Sequence, residues 1–270
     1  STRQDPLAAD KAPPVYLFAG DDLTAGVYGE SYVARVGEAL YRKWAGLEGQ
    51  AVNAGRASET VRSLLARMDA LLREYQPTWV ILAVGGNDVW IPWLSNHSVG
   101  WWFWRGYRQL RWGQQPTTDL DRFSAAYRSL IDTAQQSGAR VLACTASPLG
   151  ERLSTPPNRQ LARVNGIIKQ VAVDRQVPVA DVWQAFVDEL TPLPKPSRHV
   201  PGEWLFTWVD RLRLRRSAPD QIARGRGLHL TYDGIHLNSQ GADLWARTVL
   251  IALARAQGAT IQVAHNPGKP

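Results

Sequence analysis

Short apolar runs alternate with longer segments of mixed polarity along most of the chain. The runs have the length of buried β-strands, and they lie at 15–19, 50–53, 79–84, 140–145 and 177–182. Between them, apolar residues recur at helical spacing, as in the set Val61, Leu64, Met68 and Leu71. Short buried strands separated by amphipathic helices predict an α/β fold with a parallel sheet covered on both faces.

Four further segments show the same helical spacing. Their apolar sets are Val33, Val36 and Leu40; Leu120, Phe123, Tyr127 and Leu130; Leu161, Val164, Ile168 and Val171; and Trp245, Val249 and Ala252, the last within 239–256. Gly138 follows one of these segments as a natural helix stop. We therefore expect one domain over 15–256, with an N-terminal tether at 1–14 and a C-terminal tail at 257–270.

The 12 tryptophans are placed unevenly, and many fall within two stretches at about 90–116 and 191–230. Neither stretch keeps a helix or strand period, so we interpret both as inserted loop elements. The first includes Trp90 and Trp93, which could form a flat platform for a sugar ring or an acyl chain. Two alternatives stay open: the loop packs on itself or against a partner, or it touches a membrane surface through its aromatics and arginines Arg105, Arg108 and Arg111.

Composition excludes several classes of protein. The single cysteine, Cys144, rules out an internal disulfide and a multi-cysteine metal site, and its apolar surroundings predict a buried, inert thiol. The histidines His97, His199 and His229 show no metal-ligand spacing. The net charge of +7 favours anionic partners, but no nucleic-acid-binding module accompanies it. No apolar run has the length of a membrane span.

The chain begins with Ser1 and not with methionine. We expect from this a processed protein that is exported after its leader has been removed.

Polar motifs follow the predicted strands, where a parallel sheet binds its ligands. They read GDDLTAG at 20–26, NAGRASET at 53–60 and GGND at 85–88, and a fourth motif, YDGIHLN at 232–238, precedes the last helix. The first motif places two carboxylates, Asp21 and Asp22, side by side.

These four motifs, in this order on a matching pattern of strands and helices, resemble the four blocks of the SGNH (GDSL-type) hydrolases. The resemblance runs from about Val15 to Ala256. It implies a three-layer α/β/α sandwich with a five-stranded parallel, flavodoxin-like sheet. It also implies hydrolysis of an O-acyl ester, on a glycan or a lipid, by side chains alone and without a metal or organic cofactor.

The resemblance assigns roles to individual residues. Asp22 stands where the family has its serine nucleophile, His236 would be the base, and Asp233 would orient it. Asn87 would donate its side-chain amide to the oxyanion, and the glycine that usually supplies a backbone N–H is replaced by Ser58. Gly55 lies close to that position and, with Gly85, Trp90 and Trp93, belongs to the predicted oxyanion and substrate site.

Two of these assignments compete with simpler structural roles. Ser58 could cap the helix that follows it, either instead of or in addition to donating its N–H to the oxyanion. Asp21 belongs to the family's turn, where its carboxylate would accept backbone hydrogen bonds, and Asp88 could act in the same way.

Asp22 changes the expected chemistry, because a carboxylate needs no base to activate it and would form an ion pair with His236. Three hypotheses follow. Asp22 replaces the serine in a form with little esterase activity; or it serves as nucleophile or base in glycosidase-like chemistry with Asp21, Asp88 or Asp233; or the domain only binds a glycan or lipid.

Overall fold

The computed structural model describes residues 12–97, 115–193, 214 and 217–259. Within them, five parallel strands form one sheet in the order β2-β1-β3-β4-β5. The strands are β1 Val15–Gly20, β2 Gln50–Asn53, β3 Trp79–Ala83, β4 Arg140–Cys144 and β5 Val179–Ala180. This is the flavodoxin-like order, in which the chain reverses direction across the sheet between β1 and β3.

Helices connect the strands in sequence. In chain order those of the described residues are α1 Asp22–Ala25, α2 Tyr32–Tyr41, α3 Val61–Tyr75, α4 Gly86–His97, α5 Leu120–Gln136, α6 Pro156–Asp174, α7 Val182–Leu190, α8 Pro219–Arg226 and α9 Ser239–Ala256. A short 3-10 turn lies at Trp44–Gly46.

The two faces of the sheet bury alternate strand residues, as the pleat requires. Leu17 and Ala19 of β1 point toward α3, α5 and α6, whereas Tyr16 and Phe18 point toward α2, α7 and α9. Each face is therefore closed by its own helix layer, and the predicted α/β/α sandwich is confirmed.

Helices α2, α3, α5, α6 and α9 contain the five apolar sets predicted from the sequence, and nearly all of those side chains are buried. The last strand is shorter than predicted, since the run at 177–182 yields only Val179–Ala180. The reason is that Asp181 caps α7, whose helix begins at Val182. Cys144 is buried as expected, and burial raises the pKa of its thiol to about 12.

The interpretation of the two tryptophan-rich stretches as loop elements is wrong for two of their described parts. Residues 90–97 continue α4, and 219–226 form α8. The sequence does not show the helical period of α4, because apolar residues lie around much of the helix and Pro92 lies inside it. The rest of the stretches, at 98–114, 194–213 and 215–216, lies outside the described residues, together with Arg105, Arg108, Arg111 and His199.

Residues 1–11 of the predicted tether and 260–270 of the predicted tail also lie outside the described residues. Among the helices that the structure does describe, none combines the length and apolarity that crossing a bilayer requires.

Candidate active site

The loop after β1 presents the two adjacent carboxylates differently. Asp21 caps α1, and its Oδ1 accepts the N–H of Leu23 at 3.1 Å. Burial, followed by the charge of Asp22, raises the pKa of Asp21 to about 8. The interpretation of Asp21 as a turn-organising carboxylate is confirmed by this contact.

Asp22 lies at the first position of α1, and two hydrogen-bond donors from other parts of the chain reach the same oxygen of its carboxylate. The backbone N–H of Ser58 donates to Asp22 Oδ2 at 2.8 Å, and the side-chain Nδ2 of Asn87 donates to it at 2.9 Å. The structure thus brings together three residues that the sequence predicted as one site.

The donor at Ser58 is held by the backbone around it. Ser58 adopts a left-handed conformation with φ 57°, and this is a position where glycine is ordinarily favoured. The helix cap predicted at Ser58 is wrong, because Thr60 caps α3 and forms a reciprocal capping box with Ser63. Ser58 therefore offers its backbone N–H from a conformation that glycine ordinarily adopts.

A buried ion pair fixes the loop that carries this donor. Glu59 is fully buried; its carboxylate accepts from Arg67 Nε at 2.5 Å and from Ser63 Oγ at 2.5 Å. Arg67 also donates to the carbonyl of Ala54 at 2.6 Å, so one guanidinium joins both ends of the loop. The Nδ2 of Asn87 also donates to the carbonyl of Glu59 at 3.2 Å, which links the loop of Ser58 to the start of α4. Sequence reasoning missed this anchor.

Gly55 and Gly85, which were predicted in the oxyanion and substrate site, serve the packing of the chain around it. The N–H of Gly55 donates to Asn53 Oδ1 at 2.9 Å, and a Cβ at this glycine would lie 2.2 Å from the backbone N of Ala25. Gly85 has φ 127° and faces Phe123 in the core. Both glycines therefore allow close packing of the loops, and neither supplies a donor to the carboxylate.

Asp88 follows Asn87 and is buried. Its two oxygens accept the backbone N–H of Val61 at 3.0 Å and that of Thr117 at 2.7 Å, which confirms the structural role expected for it. Burial raises the pKa of Asp88 to about 7, and the backbone hydrogen bonds oppose this effect.

The loop before α9 brings the imidazole to the same edge of the sheet. Nδ1 of His236 lies 2.6 Å from Oδ2 of Asp233, while Oδ1 of Asp233 accepts the N–H groups of Ile235 and His236 at 2.9 and 2.7 Å. The rings of Tyr28 and Tyr232 contact the imidazole at centroid distances of 5.4 and 5.9 Å. The Asp233–His236 pair is thus oriented from several sides.

Charge dominates the protonation of this pair. Burial lowers the pKa of His236, but the charge of Asp233, its hydrogen bond and the charges of Asp22 and Asp21 outweigh this and raise it to about 9. Burial raises the pKa of Asp233, and its interactions with His236 and the two N–H groups lower it below the usual value. The sequence predicted an ion pair between His236 and Asp22. Among the described residues, His236 instead forms its ion pair with Asp233.

A pocket opens above Asp22 at the strand ends. It is lined by Asp21, Asp22, Leu23, Ala83, Gly86, Asn87, Trp90, Ala146, Ser147, Pro148, Leu149, Ile235 and Trp245. Trp90 forms part of the wall, and Trp93 stacks on it at 5.1 Å with an angle of 12° between the rings. The segment at 146–149 and Trp245 were not predicted as pocket residues, because no motif marks them.

Two other histidines, His229 and His97, lie in the described part of the chain. His229 lies 3.2 Å from Glu189 through its Nε2, and His97 ends α4. In the ranges that the structure describes, no three side chains of histidine, cysteine, aspartate or glutamate are grouped to hold a metal ion.

Residues 18–244 match the model of the GDSL-like Lipase/Acylhydrolase family. The chain belongs to this family. It is accordingly an esterase-like hydrolase of the GDSL type, as the four motifs predicted.

Two curated relatives illustrate the range of the GDSL family. An acetylxylan esterase of Geobacillus stearothermophilus is 26% identical over 189 residues, which cover 66% of this chain and 80% of that protein. Thioesterase 1/protease 1/lysophospholipase L1 of Escherichia coli (strain K12) is 40% identical over 77 residues, which cover 28% of this chain and 36% of that protein.

Solved structures share the fold. The crystal structure of Axe2, an acetylxylan esterase from Geobacillus stearothermophilus, matches with a TM-score of 0.62 at 22% identity, covering 90% of this chain and 94% of that one. LAE5, an alpha/beta hydrolase enzyme from the metagenome of Lake Arreo, Spain, matches with a TM-score of 0.58 at 20% identity, covering 89% and 95%. At these identities the likeness concerns the GDSL fold alone.

Proposed function

We propose that this site is that of an O-acyl ester hydrolase in which Asp22, at the nucleophile position, suppresses ester hydrolysis. One observation carries the proposal: the N–H of Ser58 and the amide of Asn87 converge on a single oxygen of Asp22, beside an Asp233–His236 pair. Converging donors of this kind stabilise the oxyanion that develops during acyl transfer.

The distances support the assignment of the two donors. Oxyanion-hole donors act at about 2.7–3.1 Å from the developing charge, and those of Ser58 and Asn87 lie 2.8 and 2.9 Å from Asp22 Oδ2. The carboxylate oxygen therefore occupies the place that the oxyanion of an ester substrate needs. With Asp22 present, both donors are already bonded and the ester carbonyl is excluded from them.

The imidazole is also in the wrong state for the family's chemistry. A serine hydroxyl becomes nucleophilic when a neutral imidazole accepts its proton. The pKa of His236, raised to about 9 by neighbouring carboxylates, keeps the ring protonated at neutral pH. Attack by Asp22 itself on an ester would form a mixed anhydride and release an alkoxide, which is uphill from the ester and readily reversed.

The decisive experiment is Asp22→Ser, assayed with an aryl acetate. We expect kcat/KM to rise by at least about 10³-fold, since a triad without its nucleophile retains only a small part of its rate. The gain should disappear in Asp22→Ser/His236→Ala, which keeps the new hydroxyl but removes the base. Vigorous turnover by the unaltered chain that is lost in Asp22→Asn would overturn the proposal.

The substrate class that we propose is an acylated glycan. The acetylxylan esterase relative supports this assignment, and so does the indole of Trp90 in the pocket wall, because aromatic faces stack well on sugar rings. The shorter match to a thioesterase and lysophospholipase makes a lipid ester the second candidate. Asp22→Ser should be compared on acetylated xylo-oligosaccharides and on a lysophospholipid, and preference for the lipid would reassign the substrate.

A glycosidase-like function is the less favoured alternative. It requires a second carboxylate free to act as acid or base across the bond, but the candidates are bonded internally. Asp21 accepts from Leu23, Asp88 from Val61 and Thr117, and Asp233 from His236 and Ile235. A mechanism-based sugar reagent that left a covalent adduct on Asp22, detected by mass spectrometry, would establish this alternative instead.

The third hypothesis is a domain that only binds. It predicts that the unaltered chain and Asp22→Ser bind acetylated xylo-oligosaccharides equally well, and that neither hydrolyses them. Calorimetry with both proteins, together with the acetate-release assay, separates this outcome from the proposed hydrolase. A peripheral membrane contact is a further proposal; flotation of the full chain with anionic vesicles tests it.

A further inference from the structure

The loop between β4 and α6 contains a buried carboxylate that none of the assignments above uses. Glu151 is 8% exposed and accepts four hydrogen bonds from three consecutive residues. Its Oε2 accepts from the N–H of His229 at 2.7 Å; its Oε1 accepts from the N–H of Leu230 and of Thr231, both at 2.8 Å, and from Thr231 Oγ1 at 2.7 Å. One side chain thus satisfies every donor that this turn of the chain presents to it.

The segment that Glu151 holds leads directly into the Asp233–His236 pair. Next to Glu151, the N–H of Gly150 donates to the carbonyl of Gly234 at 2.7 Å. The loop from 229 to 236 is therefore fixed on both sides of Asp233, by the Glu151 carboxylate before it and by the Gly150 N–H after it.

This support is itself tied to a helix. Asn158, at the start of α6, is 1% exposed, and its amide accepts from the N–H of Leu149 at 2.7 Å and donates to the carbonyl of Arg152 at 3.0 Å. Leu149 lines the pocket over Asp22. The β4–α6 loop thus connects a pocket wall and the imidazole loop to one rigid element.

Only a carboxylate suits this position. Its two oxygens accept several donors at once, whereas a glutamine has one acceptor oxygen and would turn an NH₂ group toward the N–H of His229 or Thr231. A buried N–H left without an acceptor is costly, so the loop would shift to reach water. Because residues 229–236 form one continuous loop, such a shift would reach His236. It would matter there, since proton transfer depends on sub-ångström placement of the base.

We propose that Glu151 is a positioning residue that sets the orientation of the His236 imidazole through residues 229–231 and does not itself touch the reacting atoms. The orientation of the Asp233–His236 pair does not depend on which bond the protein hydrolyses. Only the kinetic arm of the test below rests on the proposed esterase function.

The primary test is nuclear magnetic resonance on the chain as it is, with Glu151→Gln as the variant and His236→Gln used to assign the signals. We expect the proton between His236 Nδ1 and Asp233 to broaden or move to higher field, and the pKa of His236 to fall below about 9. Asp233, Asp22 and Asp21 are the charged groups that raise this pKa, and they are unchanged in the variant.

Two milder variants keep the test decisive if Glu151→Gln folds poorly. Thr231→Val removes one of the four hydrogen bonds and should shift the His236 signals in the same direction but less. Glu151→Asp retains the carboxylate and should fall between the unaltered chain and Glu151→Gln. Ile131→Ala lowers stability from α5, away from residues 229–236, and should leave the pKa of His236 unchanged.

The kinetic arm uses Asp22→Ser as background. Adding Glu151→Gln should lower kcat on an aryl acetate by about 10²-fold with little change in KM, because the base is displaced while the pocket remains. If Asp22→Ser is inactive but the resonance signals move, the proposed esterase function fails and the positioning role stands. Unchanged His236 signals in folded Glu151→Gln and Thr231→Val would overturn the positioning role.

Discussion

The two halves of the site are built in opposite ways. The oxyanion side, defined as Asp22, Ser58 and Asn87, is assembled from three distant segments, the start of α1, the loop before α3 and the start of α4, and its two bonds join residues 36 and 65 positions apart. The imidazole side, defined as Asp233 and His236, lies within a single loop, and its bond spans three positions. The first half therefore exists only in the folded sheet, whereas the second is largely local and is braced from outside.

Under the proposed function, this difference lets one residue change the site without dismantling it. The carboxylate of Asp22 accepts from both donors of the oxyanion side, and in the proposal it thereby alters what that side binds. The imidazole side keeps its geometry, and it senses Asp22 through charge, as the raised pKa of His236 indicates.

The largest effect should come from breaking the oxyanion side once it is free to bind substrate. In Asp22→Ser, adding Asn87→Ala should lower kcat on an aryl ester by about 10²–10³-fold, since one oxyanion donor is lost. Gln184→Ala removes an amide that bonds Asp188 on α7 and serves as the control. A loss below about threefold would show that Asn87 does not stabilise the transition state.

An intermediate effect should follow from uncoupling the two sides by charge. Asp22→Asn removes a negative charge and keeps the shape of the side chain, so the pKa of His236 should fall from about 9 toward its usual 6.5. A histidine titration followed by nuclear magnetic resonance measures this, with Asp243→Asn on the exposed side of α9 as the control. An unchanged pKa would mean that the charge of Asp22 does not contribute to it.

The same change should appear in stability. Because the folded state raises the pKa of His236, its protonation stabilises the fold fully below about pH 6.5, and this contribution is lost as the pH rises through about 9. In Asp22→Asn the loss should begin at the same pH, because the unfolded pKa is unchanged, but it should end at lower pH and be smaller in total, with the same slope on the order of 1.4 kcal/mol per pH unit. Urea unfolding between pH 6 and 10 would detect it.

The smallest effect should come from the side chain of Ser58. Since the donor is a backbone N–H at φ 57°, Ser58→Gly keeps the donor and suits the left-handed conformation. In the Asp22→Ser background we expect kcat to stay within about twofold and the free energy of unfolding to change by less than about 1 kcal/mol. A large loss of kcat, with Ser58→Ala as its comparison, would assign a role to the hydroxyl instead.

The sequence predicts the sheet and the amphipathic helices well, because a helix that buries one face shows a periodic pattern of apolar residues, and a buried strand shows a short apolar run. Val61, Leu64, Met68 and Leu71 illustrate this in α3. Helix α4 escapes prediction because its residues face both the core and the pocket, as Leu94 and Trp90 do, and no polar stripe remains. Capping is equally hard to read, since Thr60 and Ser58 are both plausible caps until the backbone is known.

In the site, motif positions could be predicted, but the contacts that hold them could not. Asp22, Asn87, Asp233 and His236 stand in recognisable motifs. Glu59 lies within the motif at 53–60, but the motif does not show its pairing with Arg67. Glu151 lies outside the four motifs and is recognisable only through partners nearly 80 positions away. A buried carboxylate with distant partners leaves no local pattern, so only the folded chain reveals it.

The two hydrogen bonds to Asp22 Oδ2 also bear on whether chemical probes for serine hydrolases detect this protein. A side chain fixed beside its donors competes with free molecules at a very high effective concentration, so soluble anions cannot readily displace it. Reagents that detect serine hydrolases by trapping a tetrahedral adduct need both a nucleophilic hydroxyl and vacant donors. A survey based on such reagents would pass over this chain, although its fold is that of the enzymes they label.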